Sequence, residues 1–145
     1  MDCSVDIAVD AFIPEQYIGS SKIRMDVYRK IANIENNEDR DDLLDELTDR
    51  FGDLPKPVEN LVDISLIRNA ASLLGFTAIE QKGNIISLYN RNIDIGAVSR
   101  LAGDPELKGG IMFSAGAKPH IAYKLRGGEN NLDMIRKILS KYASA

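Results

Sequence analysis

An α+β fold is predicted for this chain, with a helical N-terminal lobe and a small, mainly antiparallel sheet flanked by helices. Two changes of rhythm carry that expectation. Up to Gly75 the apolar residues recur at helical spacing, as in Leu43, Leu44, Leu47 and Phe51. Beyond Gly75 short strand-like runs alternate with glycine turns, before a last helical pattern carried by Leu132, Ile135, Ile138, Leu139 and Tyr142. The division places residues 1–75 in the helical lobe and residues 76–145 in the sheet-bearing lobe of one module.

Taken in order, Val5, Ile7 and Val9 alternate with Ser4, Asp6 and Ala8, the period of a half-buried strand. An opening in mid-strand is the mark expected of a piece of a longer protein. Ser20 and Ser21 are candidate caps for a helix running to about Ile34, with Ile23, Val27, Ile31 and Ile34 on its buried face. A polar break at Glu35–Glu38 precedes a helical hairpin over Asp39–Phe76. Its first helix should bury Leu43, Leu47 and Phe51. Gly52 then suits a left-handed cap, and Pro55 and Pro57 forbid continuation, with Pro57 as first residue of the next helix. That helix carries Val58, Leu61, Val62, Leu66 or Ile67, Ala70, Ala71 and Leu74. Strands are expected at Phe76–Lys82 and Asn84–Tyr89 around a turn at Lys82-Gly83, and at Ile111–Ser114 and His120–Leu125. Asp94 caps a short helix with Ile95, Val98 and Leu101 inward.

The chain has 145 residues, 44% of them hydrophobic and 28% charged, which fits one globular domain. No apolar run approaches the roughly 20 residues of a membrane span, and no N-terminal signal pattern is present. A single cysteine, Cys3, excludes an internal disulfide, and a cytoplasmic setting is expected. Residues 1–75 hold 16 acidic and 8 basic side chains (net −8), residues 76–145 hold 6 and 10 (net +4), together the −4 of the whole chain. That split fits two faces with different partners, and equally two lobes that attract each other.

Familiar chemistry is missing. There is no GxxxxGK[ST] loop, no GxGxxG after a strand and no GxSxG elbow. The one histidine, His120, has no HxxxH or HExxH neighbour, so no metal site is expected and His120 reads as a hydrogen-bonded structural residue. No cofactor is implied, and no enzyme. Lys118, Lys124, Arg126, Arg136, Lys137 and Lys141 make the second half basic, which leaves room for a nucleic-acid or RNA-polymerase contact module. Direct DNA contact is nevertheless not expected, because the acidic lobe repels the same polyanion.

One face of the first hairpin helix is acidic. Asp42, Glu46 and Asp49 stand at i, i+4 and i+7, opposite the apolar stripe, with Asp45 on the flank. Like charges at this spacing repel by a few tenths of a kcal/mol per pair. Such a face is either a solvated surface or a docking surface for a basic partner, and periodicity does not choose between them.

The run ELTDRFGDLPKPVENLV at Glu46–Val62, with DAFIPEQYI at Asp10–Ile18 and RMDVYRKIA at Arg24–Ala32, resembles the C-terminal (TRCF) domain of bacterial transcription-repair coupling factors. The resemblance covers roughly the first half of the chain, and the remainder fits in its element order. It implies a non-catalytic module at the end of an ATP-driven DNA translocase that removes stalled RNA polymerase and recruits excision repair. The module would dock on a UvrB-like module of the same polypeptide and cover the surface that recruits UvrA. The family's docking carboxylates fall on Glu46 and Asp49, beside Asp42 and Asp45, and the partner is expected to offer arginines. Arg50, Phe51, Gly52, Leu54, Pro55 and Pro57 are accounted for by the turn.

Overall fold

The computed structural model describes residues 2–144. The chain forms two compact units, one over Val9–Asn69 and the other from the residues up to Ala8 together with those from Ala70 onward. The division therefore falls inside a helix, a few residues before Gly75.

In the Val9–Asn69 unit, α1 (Ser21–Ala32) and α2 (Asn37–Phe51) pack with the greater part of α3 (Lys56–Leu73). Both caps are side-chain caps: Ser20 Oγ accepts from the Ile23 N–H at 3.2 Å, and Asn36 Oδ1 accepts from the Asp39 N–H at 2.8 Å. The second cap starts α2 two residues earlier than the hairpin predicted from Asp39. Ile13, Ile18, Val27, Ile31, Ile34, Leu43, Leu47, Val58 and Val62 form the core. Phe51, expected to be buried, is half-buried and packs on the edge of this cluster. Pro57 is the second residue of α3, after Lys56, and its missing N–H is still no loss in the first turn.

The middle of α3 is buried on more than one side, because Asn60, Asp63 and Ser65 are buried along with Val62 and Ile64. Each polar group finds a partner. Asn60 Nδ2 donates to the Asp10 carbonyl at 3.0 Å, Ser65 Oγ to the Ile31 carbonyl at 2.6 Å, and Arg40 Nε to Asp63 at 3.1 Å. The expected apolar stripe weakens toward its end: Ala71 is buried and Leu74 half-buried, but Ala70 is exposed.

The other unit is a five-stranded sheet in the order β1-β2-β3-β5-β4. Its strands are β1 (Ser4–Asp6), β2 (Phe76–Lys82), β3 (Ile85–Asn90), β4 (Ile111–Ser114) and β5 (His120–Lys124). β1 is shorter than its alternation suggested and pairs parallel with β2, Val5 opposite Ile79; every other pairing is antiparallel. One face of the sheet is core, with Ile79, Ile86, Leu88, Ile121 and Tyr123 wholly buried. Two helices, α4 (Ile95–Gly103) and α5 (Asn131–Ala143), pack together, and α5 meets β2 through an edge-on contact of Tyr142 with Phe76, ring centroids 4.9 Å apart. α5 buries Leu132, Met134, Ile135, Ile138, Leu139 and Tyr142. In α4 the expected inward phase is corrected. Asp94 does cap the helix, accepting from the Ala97 N–H at 3.1 Å, but Ala97 and Leu101 are the buried pair and Ile95 is 58% exposed. A residue at the first helical position lies beside the cap, off the face that meets the sheet.

Gly110 explains one of the glycine pairs. A Cβ there would stand 2.6 Å from Cε1 of the fully buried Tyr123, whose hydroxyl is fixed by donation to Glu129 at 2.8 Å. Gly110→Ala is therefore expected to cost on the order of 1–3 kcal/mol through overpacking, which lowers the melting temperature by roughly 2–4 °C per kcal/mol. Gly103→Ala, with nothing within 4 Å, should be close to neutral. Equal melts for the two variants would show that the Tyr123 ring is free to move.

Candidate functional site

The acidic face of α2 is built as the helical spacing requires, with Asp42, Asp45, Glu46 and Asp49 on one side and Leu43 and Leu47 buried on the other. The four carboxylates are not equivalent. Glu46 is held from both sides: Lys30 Nζ of α1 lies 2.7 Å from its Oε2, and Arg50, one turn on, lies 3.4 Å from the same atom. The Lys30 hydrogen bond is the largest reason the Glu46 carboxyl sits below its ordinary value; burial, next in size, works the other way, and the charge of Lys30 and the Arg50 contact add to the lowering. Asp42, Asp45 and Asp49 are exposed, and their carboxylates make no hydrogen bond or ion pair among the described residues. Asp42 and Glu46 also border a shallow depression of about 380 Å³ with Lys30, Asn33 and Ile34. The face thus presents free carboxylates around one that is already engaged.

The end of the helix beside this face is capped and held in place. Gly52 caps α2 at φ 91°, a conformation that favours glycine, and its N–H donates to the Thr48 carbonyl at 3.0 Å. The Tyr17 hydroxyl reaches the cap from outside the hairpin, 3.1 Å from the Leu47 carbonyl and 3.0 Å from that of Gly52, so its one proton is shared between them. The Tyr17 ring meets Phe51 edge-on at 5.8 Å, and the Arg50 guanidinium lies 4.7 Å from the Phe51 centroid. Arg50 therefore does more than the turn asks of it. Leu54 is half-buried against the core, and the Pro55 carbonyl accepts from the Val58 and Glu59 N–H groups to open α3. Neither Lys30 nor Tyr17 was singled out by spacing. The one available signal for Lys30 was charge complementarity between the outer faces of α1 and α2.

The basic residues of the second half are largely answered within it. Arg126 pairs with Glu129 at 3.3 Å, Arg136 with Asp133 at 2.6 Å, Lys137 with Glu106 at 2.7 Å and Lys141 with Asp104 at 2.7 Å. Lys118 and Lys124 have no such partner among the described residues. His120 is hydrogen-bonded, its Nδ1 2.9 Å from the Lys118 carbonyl. Among the described residues no cluster of His, Cys, Asp and Glu could hold a metal ion, and no helix is long and apolar enough to cross a membrane.

Residues 7–95 match the family profile of the TRCF domain. A transcription-repair-coupling factor of Staphylococcus epidermidis is 38% identical over 87 residues, 60% of this chain and 7% of the relative. One from Staphylococcus aureus is 36% identical over 88 residues, 61% of this chain and 8% of the relative. The chain thus corresponds to a small fraction of the curated relatives it matches. In three dimensions it superposes on the crystal structure of the C-terminal domain of a transcription-repair coupling factor with a TM-score of 0.82 and 22% identity, covering 97% of this chain and 89% of that one.

Two substitutions test how the face is held. Tyr17→Phe removes the hydroxyl from the cap and should cost about 0.5–1.5 kcal/mol. Burial, then the charge of Asp53, raises the folded-state pKa of Tyr17 above its ordinary 10.0. Its contribution is complete below that value and is lost as pH rises through the folded one, so the variant should lose less stability than wild type in alkali. Glu46 works in the opposite sense. Its stability is present above its ordinary 4.5 and is lost as pH falls through the depressed folded value. Lys30→Met should accordingly flatten the acid limb of a stability-against-pH curve, which urea melts at stepped pH would show.

Proposed function

The chain belongs to the TRCF domain family, and we propose that it is the non-catalytic docking module of a transcription-repair coupling factor. In this reading the acidic face of α2 packs on a UvrB-like module of the same polypeptide and keeps the surface that recruits UvrA covered. The observation that carries it is the set of exposed, unpartnered carboxylates Asp42, Asp45 and Asp49 on a helix whose end is clamped by Tyr17 and Gly52.

The physics is that of a lock. Arginine–carboxylate pairs are directional and, at a partly desolvated interface, stronger than exposed ones. Tethering in one chain supplies a high effective concentration, so a weak contact stays closed until a partner opens it. Glu46 keeps the contact weak, because an incoming arginine must compete with Lys30 and Arg50 for the same Oε2.

Glu46→Ala combined with Asp49→Ala should leave the fold intact. The exposed pairs of Glu46 contribute about 0.2–1 kcal/mol, and the loss of two like charges beside Asp42 and Asp45 offsets part of it. In the full-length parent the same change leaves partner arginines unpaired, worth about 2–5 kcal/mol where they are buried. UvrA should then be captured without a stalled polymerase. A pull-down in which the double variant retains no more UvrA than wild type would mean the face is merely solvated.

A further inference from the structure

The surplus positive charge of the second half is not spread evenly. With Arg126, Arg136, Lys137 and Lys141 neutralised, and Arg100 donating to the Tyr142 carbonyl, the cations without a carboxylate partner among the described residues are Lys82, Arg91, Lys108, Lys118 and Lys124. Register places two of them, Lys82 and Lys124, on one surface, and Arg91 and Lys118 border a cavity beside it. The buried face of the sheet carries Ile79, Ile86, Leu88, Ile121 and Tyr123, so the alternate residues of the same strands point outward. Lys82, Ile85 and Lys124 lie in one cross-strand row of that outer face, and Ala78, Tyr89 and His120 in another.

Tyr89 and His120 face each other in register, ring centroids 4.8 Å apart. Because a carbonyl can only accept, the Lys118 carbonyl 2.9 Å from His120 Nδ1 requires a proton on that nitrogen, which orients the ring. The Asn90 N–H donates to the Pro119 carbonyl at 3.2 Å and ties the 115–119 loop to the end of β3. Beneath that loop lies an open cavity of about 440 Å³ bordered by Thr77, Tyr89, Arg91, Lys118 and Pro119, with Glu80 its one carboxylate.

We propose that this outer face binds single-stranded nucleic acid, a base entering the cavity against Tyr89 and flanking phosphates meeting Arg91, Lys118 and Lys124. Aromatic rings on the central strands of an open sheet, edged by unpaired cations, supply both halves of sequence-tolerant single-strand recognition: stacking and charge. An acidic protein segment would use the cations and leave the aromatic pair idle. The inference is independent of the α2 docking reading and uses none of its residues.

The test is fluorescence anisotropy of a labelled ten-nucleotide oligo-dT against the whole chain at low salt. Binding should weaken with a log–log salt slope of about −2 to −3, for three to four phosphates at roughly 0.7 each. Arg91→Glu combined with Lys118→Glu should reduce affinity by about tenfold or more, and Tyr89→Leu, checked for an unchanged melt, by about fivefold or more. Lys108→Glu, off this face, should change it little. The proposal is overturned by absence of binding at low salt, by an equal loss in Lys108→Glu, or by a duplex or polyglutamate of matched charge binding as tightly as oligo-dT.

Discussion

A helix buried around its middle cannot leave its polar side chains unanswered, and α3 is such a helix. Asn60, Asp63 and Ser65 lie among its buried residues, and each is satisfied by a different stretch of the Val9–Asn69 unit: the Asp10 carbonyl, Arg40 of α2 and the Ile31 carbonyl at the end of α1. A buried group deprived of its partner costs about 1–3 kcal/mol, more for a charge. These bonds therefore do what apolar packing alone cannot. Leu43, Leu47, Val58 and Val62 supply non-directional packing, whereas the polar contacts hold only in one register. The placement of α1 and α2 follows from them, and with it the direction in which the acidic face of α2 points.

Most of the fold was legible because its signals are local. Ser20 and Asp94 cap as their positions indicated, Gly52 and Gly83 take the positive φ that their turns require, and the strand at Ile111–Ser114 lies where expected. The helix starts and the phase of α4 were missed by a residue or two at their caps, whereas the larger errors depend on residues distant in the chain. Ser4–Asp6 finds its partner in β2, some seventy positions on, and that pairing cuts the strand short of Val9. The Tyr17 clamp joins the segment before α1 to a helix end thirty-five residues away. Asn60, Asp63 and Ser65 lie off the apolar stripe of α3, and only the packing shows them to be inside. The Phe51 side chain is half-buried because Tyr17 and Arg50, not α3 alone, cover it.

The candidate site was legible as composition and position but not as chemistry. Spacing placed Asp42, Asp45, Glu46 and Asp49 on one face, yet gave them equal standing. The fold divides them, because α1 brings Lys30 to Glu46 and leaves the aspartates alone. A similar sorting occurs in the sheet-bearing unit, where pairs between α5 and the Asp104–Glu106 turn neutralise cations that the sequence offered as one basic patch. In both units, formal charge is a poor guide to the charge available to a partner.

The account rests on α2 presenting its unpaired carboxylates to a partner, and titration of an isolated UvrB-like module into the isotopically labelled chain measures this most directly. Amide resonances of Asp42, Asp45, Glu46 and Asp49 are predicted to shift together and saturably, with those of β3, β4 and β5 unmoved. Shifts confined to the sheet, or none at all at millimolar partner, would contradict it.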